Sequence, residues 1–144
     1  MPAIRNIAVG LPVKDGHVLA LEGYDGSRDL HFLRAIGGGI EFGETAVEAL
    51  NREYMEELGV VLDSAEPLGV FENIFTYKGE PGHEIAHVFA VTSTALDAVP
   101  LDAVLEILDQ GSPVRWVPIT DIASGTRVLF PAGAPESLLA LVSR

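Results

Sequence analysis

Glu53, Glu56 and Glu57 lie beside Arg52, all within six consecutive positions. On a helix the three acids fall at i, i+3 and i+4 and share a stripe about 100° wide. Carboxylates at those spacings repel one another, so selection for stability alone would rarely group them. A divalent cation reverses the argument, because hard cations seek several oxygen ligands close together. The cluster therefore reads as half of a metal cage, with the other half supplied from elsewhere. The plain alternative is a solvated acidic helix face.

The elements that must position these side chains are marked in the chain. Thr45 is suited to cap a helix, and Glu48, three residues on, completes a capping box. Gly59 stands where helices close with a left-handed residue. Neither glycine nor proline interrupts the span between them. Val47, Leu50, Tyr54 and Leu58 form an apolar stripe beside the acidic one, and this stripe is expected to face the core. Upstream, His31 to Ile36 reads as a short strand leading to Gly37-Gly38-Gly39, where backbone can approach a ligand closely.

The remaining chain gives mainly strand signals. Ile4, Ile7, Val9 and Leu11 alternate, Asp15-Gly16 marks a turn, and Val18 to Leu21 resumes an apolar run, so Arg5 to Leu21 reads as a hairpin. Leu68 to Tyr77 and Glu84 to Thr94 read as a second hairpin, turning at Lys78 to Gly82. Ala95 to Gly111 has mixed periodicity and gives no clear element. Val114 to Ile119 reads as a strand, and Glu136 to Val142 as a closing helix after the break at Pro131 to Pro135. Strands mixed with two main helices suggest an α/β or α+β layered fold. No linker or repeat divides the chain, so residues 1–144 are expected to form one domain.

Composition narrows the chemistry. There is no cysteine, so any metal must be held by oxygen or histidine. The net charge of −12, with lysine only at Lys14 and Lys78, argues against a nucleic-acid partner. No apolar run reaches membrane-span length, and the start of the chain does not resemble a signal peptide. A soluble cytoplasmic protein without a membrane partner is the expectation.

Gly38, Glu44, Arg52, Glu53, Glu56, Glu57, Gly59 and Val60 match every fixed position of the pattern G-x5-E-x7-R-E-U-x-E-E-x-G-U, where U is a bulky aliphatic residue. The stretch thus resembles the Nudix box, with Tyr54 as a soft departure at an aliphatic position. The resemblance implies a Nudix fold, a mixed β-sheet sandwiched between α-helices. It implies hydrolysis of a diphosphate bond in a nucleoside diphosphate linked to another moiety, with Mg2+ or Mn2+ as cofactor. Glu53, Glu56 and Glu57 would be metal ligands, joined by the Gly38 carbonyl, with one glutamate acting as general base. Arg52 would orient the carboxylates, and Glu44 would tie the loop to the helix.

Many relatives use a further acid outside the box. Glu72, Glu84, Asp102 and Glu106 are the candidates, with Glu84 favoured over a bland strand-edge role. Arg34, just before the glycines, is positioned to meet a phosphate or to form a surface ion pair. Homodimers are common among such proteins and are one expected assembly. Two other functions compete. A nucleotide sensor on the same fold would bind without turnover, but it need not keep all three helical glutamates. An isomerase of isoprenoid diphosphates would need a cysteine or comparable acid for carbon chemistry, and this chain has no cysteine.

Overall fold

A computed structural model describes residues 2–108 and 110–144. Strand β1 (Arg5–Lys14) and strand β2 (His17–Asp25) form the expected first hairpin. Asp15 and Gly16 between them both take positive φ, 46° and 74°, the backbone pair that a tight hairpin turn needs. Strand β3 (Leu30–Arg34) pairs antiparallel with β2. Strand β4 (Ile36–Gly39) then returns to pair antiparallel with β1, Gly38 opposite Ala8. The glycines are therefore a strand and not the open loop that their composition suggests.

Helix α1 (Ala46–Leu58) follows, with the expected ends. The Thr45 side chain accepts from the Glu48 backbone N–H, the Glu48 side chain accepts from the Thr45 N–H, and Gly59 closes the helix at φ 66°. Replacing Thr45 by Ala leaves an unsatisfied N–H and is expected to cost about 1 kcal/mol. Urea unfolding measures this, and Thr45→Ser should restore most of the loss.

Strands β5 (Ser64–Tyr77) and β6 (Glu80–Thr92) form a hairpin longer than the alternation suggests. Its turn contracts to Lys78-Gly79, both at positive φ. Helix α2 (Thr94–Asp97) begins at Thr94, the last residue of the expected strand, and runs into the stretch that gave no clear element, where strand β7 (Val104–Glu106) also lies; Asp109, in the same stretch, lies outside the described residues. Strand β8 (Pro113–Pro118) matches expectation. Helix α3 (Ile119–Ala123) and strand β9 (Leu129–Phe130) were not expected, being too short to leave a periodic signal. Helix α4 (Ala134–Val142) closes the described chain.

The strands run in the order β5-β6-β1-β2-β3-β9, with β4 pairing β1, β8 pairing β2 and β7 pairing β8. The β1–β6 and β3–β9 pairs are parallel among otherwise antiparallel ones, which makes the sheet mixed. Alternation along β1 feeds two cores. Ile7, Val9 and Leu11 pack with Ile122 of α3 and Leu138 of α4. Ala8, with Leu19 and Ile36, packs with Leu50 and Tyr54 of α1. Helices thus cover both sides of the strands, as the layered expectation required. Among the described residues, no helix is long and apolar enough to cross a membrane.

One expected face is corrected. Val47 was placed on the buried stripe of α1, but it is 39% exposed. The buried residues are Ala49, Leu50 and Tyr54, so the helix is turned toward its acidic side. Tyr54, aromatic at an aliphatic position, is accommodated by a glycine. A Cβ on Gly10 would lie 2.6 Å from the Tyr54 hydroxyl oxygen.

Candidate active site

Arg52 is the hub that joins strand, loop and helix. Its Nε and Nη2 donate to the two carboxylate oxygens of Glu44 at 2.8 and 2.9 Å. Nη2 also donates to the Gly39 carbonyl at 2.9 Å. Nη1 donates to Glu53 at 2.9 Å and to Glu56 at 3.3 Å. Such charge-assisted forks fix geometry as well as charge. A lone i,i+4 surface pair on the helix would not account for these contacts. Glu48 is not its partner, since Glu48 serves the capping box.

Glu44 behaves as the structural tie between loop and helix. The Arg52 hydrogen bonds, then one from the Glu41 backbone N–H, hold its carboxyl down at about 2. Arg52 in turn is pushed above its ordinary value, chiefly by the Glu44 hydrogen bonds.

The three helical glutamates differ in setting. Glu53, whose side chain is 15% exposed, lies over Gly38: a Cβ on Gly38 would sit 2.5 Å from its carboxylate carbon. Glu57 shares a hydrogen bond with Glu53, and burial, then that bond and the Glu53 charge, push its carboxyl up to about 8. Arg34 works in the opposite direction, holding Glu57 down by its charge. Glu56 stands at the rim, 58% exposed. The rotation that exposes Val47 is the one that turns Glu53 and Glu57 toward the β4 glycines.

This donor set suits a hard divalent cation. Every group is an oxygen, and two carboxylates stand in hydrogen-bond contact beside a glycine strand. Among the described residues, no three histidine or acidic side chains converge as a finished cage. Magnesium needs none, because it keeps several waters and takes one or two carboxylates with substrate phosphates.

The raised carboxyl of Glu57 has a consequence for stability. Its folded-state affinity for a proton exceeds that of the unfolded chain, so its contribution is complete below about 4.5 and is lost as pH rises through about 8. In EDTA, the thermal midpoint is therefore expected to fall between pH 6 and 8.5. Glu57→Gln should flatten that fall, as scanning calorimetry across the range would show.

Outside the helix, Glu84 is 4% exposed. Its Oε2 lies 3.3 Å from Arg34 Nη2 and 3.6 Å from Arg5 Nη1. It is therefore a buried acid paired with arginines and not the strand-edge surface acid of the bland reading. The other candidate acids, Glu72, Asp102 and Glu106, are all exposed. His83 and His87 point to the strand face opposite Glu84, by alternation along β6.

Two residues escaped the sequence reading. Asn73 stands directly across the β5–β6 ladder from Glu84 and is buried, with neither side-chain Nδ2 nor Oδ1 partnered among the described residues. Arg5 is level with Glu84 in the parallel β1–β6 pair. Only strand register brings them together. Two open clefts, one lined by Glu22, Tyr24, His31 and Arg127, the other by Asn6, Phe42, Glu44 and His87, do not include the helical glutamates.

Comparisons with known proteins give the family and the fold. The family model described as NUDIX domain matches residues 4–137. Among solved structures, a NUDIX hydrolase from Nitrosomonas europaea superposes with a TM-score of 0.70 at 17% identity, covering 98% of this chain and 90% of that one. The E. coli ORF135 protein gives 0.65 at 20% identity, over 97% and 91%. A MutT NUDIX hydrolase from Burkholderia pseudomallei gives 0.60 at 21% identity, over 82% and 85%. At these identities the likeness is one of fold.

Proposed function

Because this chain belongs to the NUDIX domain family, we propose that it hydrolyses a diphosphate bond in a nucleoside diphosphate linked to another moiety. The observation that carries the reading is the Glu53–Glu57 contact beside Gly38, braced by Arg52. Glu53, Glu56 and Glu57, with the Gly38 carbonyl, would hold Mg2+ or Mn2+. When bound, the ion neutralises charge on the diphosphate and lowers the proton affinity of water and carboxylates near it.

The chain's own groups do the rest. Arg52 keeps Glu53 and Glu56 in fixed directions, so little reorganisation is left for the reaction. One of the three glutamates takes the proton of the attacking water. The water oxygen bonds to phosphorus, the bridging P–O bond breaks, and the leaving oxygen carries the electron pair away. Arg34 meets a substrate phosphate, held in place by Glu84, which is the further acid of the site. A nucleotide, and not a nucleic acid, fits a chain of net charge −12 whose cations are few. A cytoplasmic location and a homodimer belong to the same proposal.

The test is incubation with Mg2+ and a panel of nucleotides, following release of monophosphate or phosphate. Turnover that EDTA abolishes is expected. Tight nucleotide binding with no cleavage of any member would instead support the sensor reading.

A further inference from the structure

Glu84 takes two arginines onto one oxygen, and charge counting makes that excessive. A buried carboxylate must be paired, but one guanidinium would neutralise it. Arg5 and Arg34 together leave the group with a surplus positive charge, in a chain of net charge −12. Within the protein their donors are lightly engaged, and their side chains, 59% and 31% exposed, are open to an anion from solvent. Among the described residues, Arg52 donates five side-chain hydrogen bonds, Arg34 donates one, and Arg5 reaches Glu84 only as an ion pair.

The pair adjoins the reaction site from two sides. Arg34 acts on Glu57 by its charge. Arg5 Nη2 would lie 3.2 Å from a Cβ on Gly39, whose carbonyl accepts from Arg52; by alternation this is the face of β4 opposite the one where Gly38 meets Glu53. We propose, resting on the hydrolase reading above, that Arg5 and Arg34, anchored on Glu84, form an oxyanion clamp for a substrate phosphate beyond the diphosphate that is cleaved. Paired guanidinium forks are the groups suited to phosphate oxygens.

Asn73 supplies the independent observation. It is 6% exposed, and both of its side-chain polar atoms lack partners among the described residues. Buried polar groups without partners call for an explanation. Cross-strand neighbours stand about 5 Å apart at Cβ, so Asn73 is the donor that can take over Glu84 when the arginines turn toward an anion. A surface ion pair would contribute little and would not account for a buried acid with a free amide opposite it.

The clamp favours a nucleoside triphosphate over a diphosphate whose second moiety is neutral. Two measurements test it. Binding of inorganic triphosphate in EDTA, followed by calorimetry, should weaken about tenfold in Arg5→Gln and recover in part in Arg5→Lys. With Mg2+, the ratio of kcat/KM for ATP to that for ADP-ribose should fall about tenfold in Arg5→Gln. Should Arg5→Gln fail to fold, Arg5→Lys should still lower that ratio by about threefold, because an ammonium lacks the fork. An unchanged or increased ratio, or triphosphate binding indifferent to Arg5, overturns the clamp. A wild type that cleaves no member of the nucleotide panel overturns the hydrolase reading instead, and the binding arm still decides the clamp.

Discussion

Glu57→Gln and Glu56→Gln are each expected to lose most Mg2+-dependent turnover, on the order of a hundredfold or more, with folding retained. The two residues reach this result by different routes. Glu57 is half-buried, and burial disfavours its ionised form. An amide of the same shape removes that conflict, so the variant should be no less stable than the parent at neutral pH. Glu56 is mostly exposed and contributes one 3.3 Å bond to Arg52, a contact worth tenths of a kcal/mol. Its loss should barely move the urea midpoint. Paired unfolding and steady-state measurements separate stability from chemistry, and calorimetric titration with Mn2+ reports the lost ligand directly. Full turnover in both variants would put the metal somewhere other than this helix.

The helix itself was readable because its signals are local. A capping box, an uninterrupted span and a closing glycine lie within fifteen residues, and each appears as expected. Which way the helix faces was not readable. Hydrophobic spacing puts Val47 inward, but the helix turns so that Glu53 faces strand β4, where Gly38 leaves room for its carboxylate. The missing information is the shape of the partner surface, which belongs to another element.

The Glu84 cluster was hidden for a related reason. Its identity as an acid of interest could be guessed from the strand pattern. Its partners depend on the parallel register of β1 and β6, which sets Arg5 beside Glu84 across 79 positions of chain. Nothing in either strand alone fixes that register. The β4 glycines are hidden in the same way: composition suggests a loop, whereas pairing with β1 makes a strand.

Those glycines allow a sharper test, because adjacent positions should fail in opposite ways. A Cβ on Gly37 would lie 2.0 Å from the Ala8 carbonyl oxygen. That atom is backbone, fixed between β4 and β6 in the middle of the sheet, so nothing nearby can yield cheaply. Gly37→Ala is expected to cost about 3 kcal/mol or more. A Cβ on Gly38 would instead meet the Glu53 carboxylate at 2.5 to 2.7 Å. The end of a flexible side chain can swing aside, so Gly38→Ala should fold with a near-normal midpoint. The swing removes Glu53 from its hydrogen bonds with Arg52 and Glu57. A displacement of about 1 Å in a catalytic group costs on the order of a hundredfold, and Gly38→Ala is expected to lose that much turnover. Urea unfolding and Mg2+-dependent turnover on both variants read the contrast. Wild-type activity in a well-folded Gly38→Ala would mean that Glu53 does its work from a position this glycine does not set.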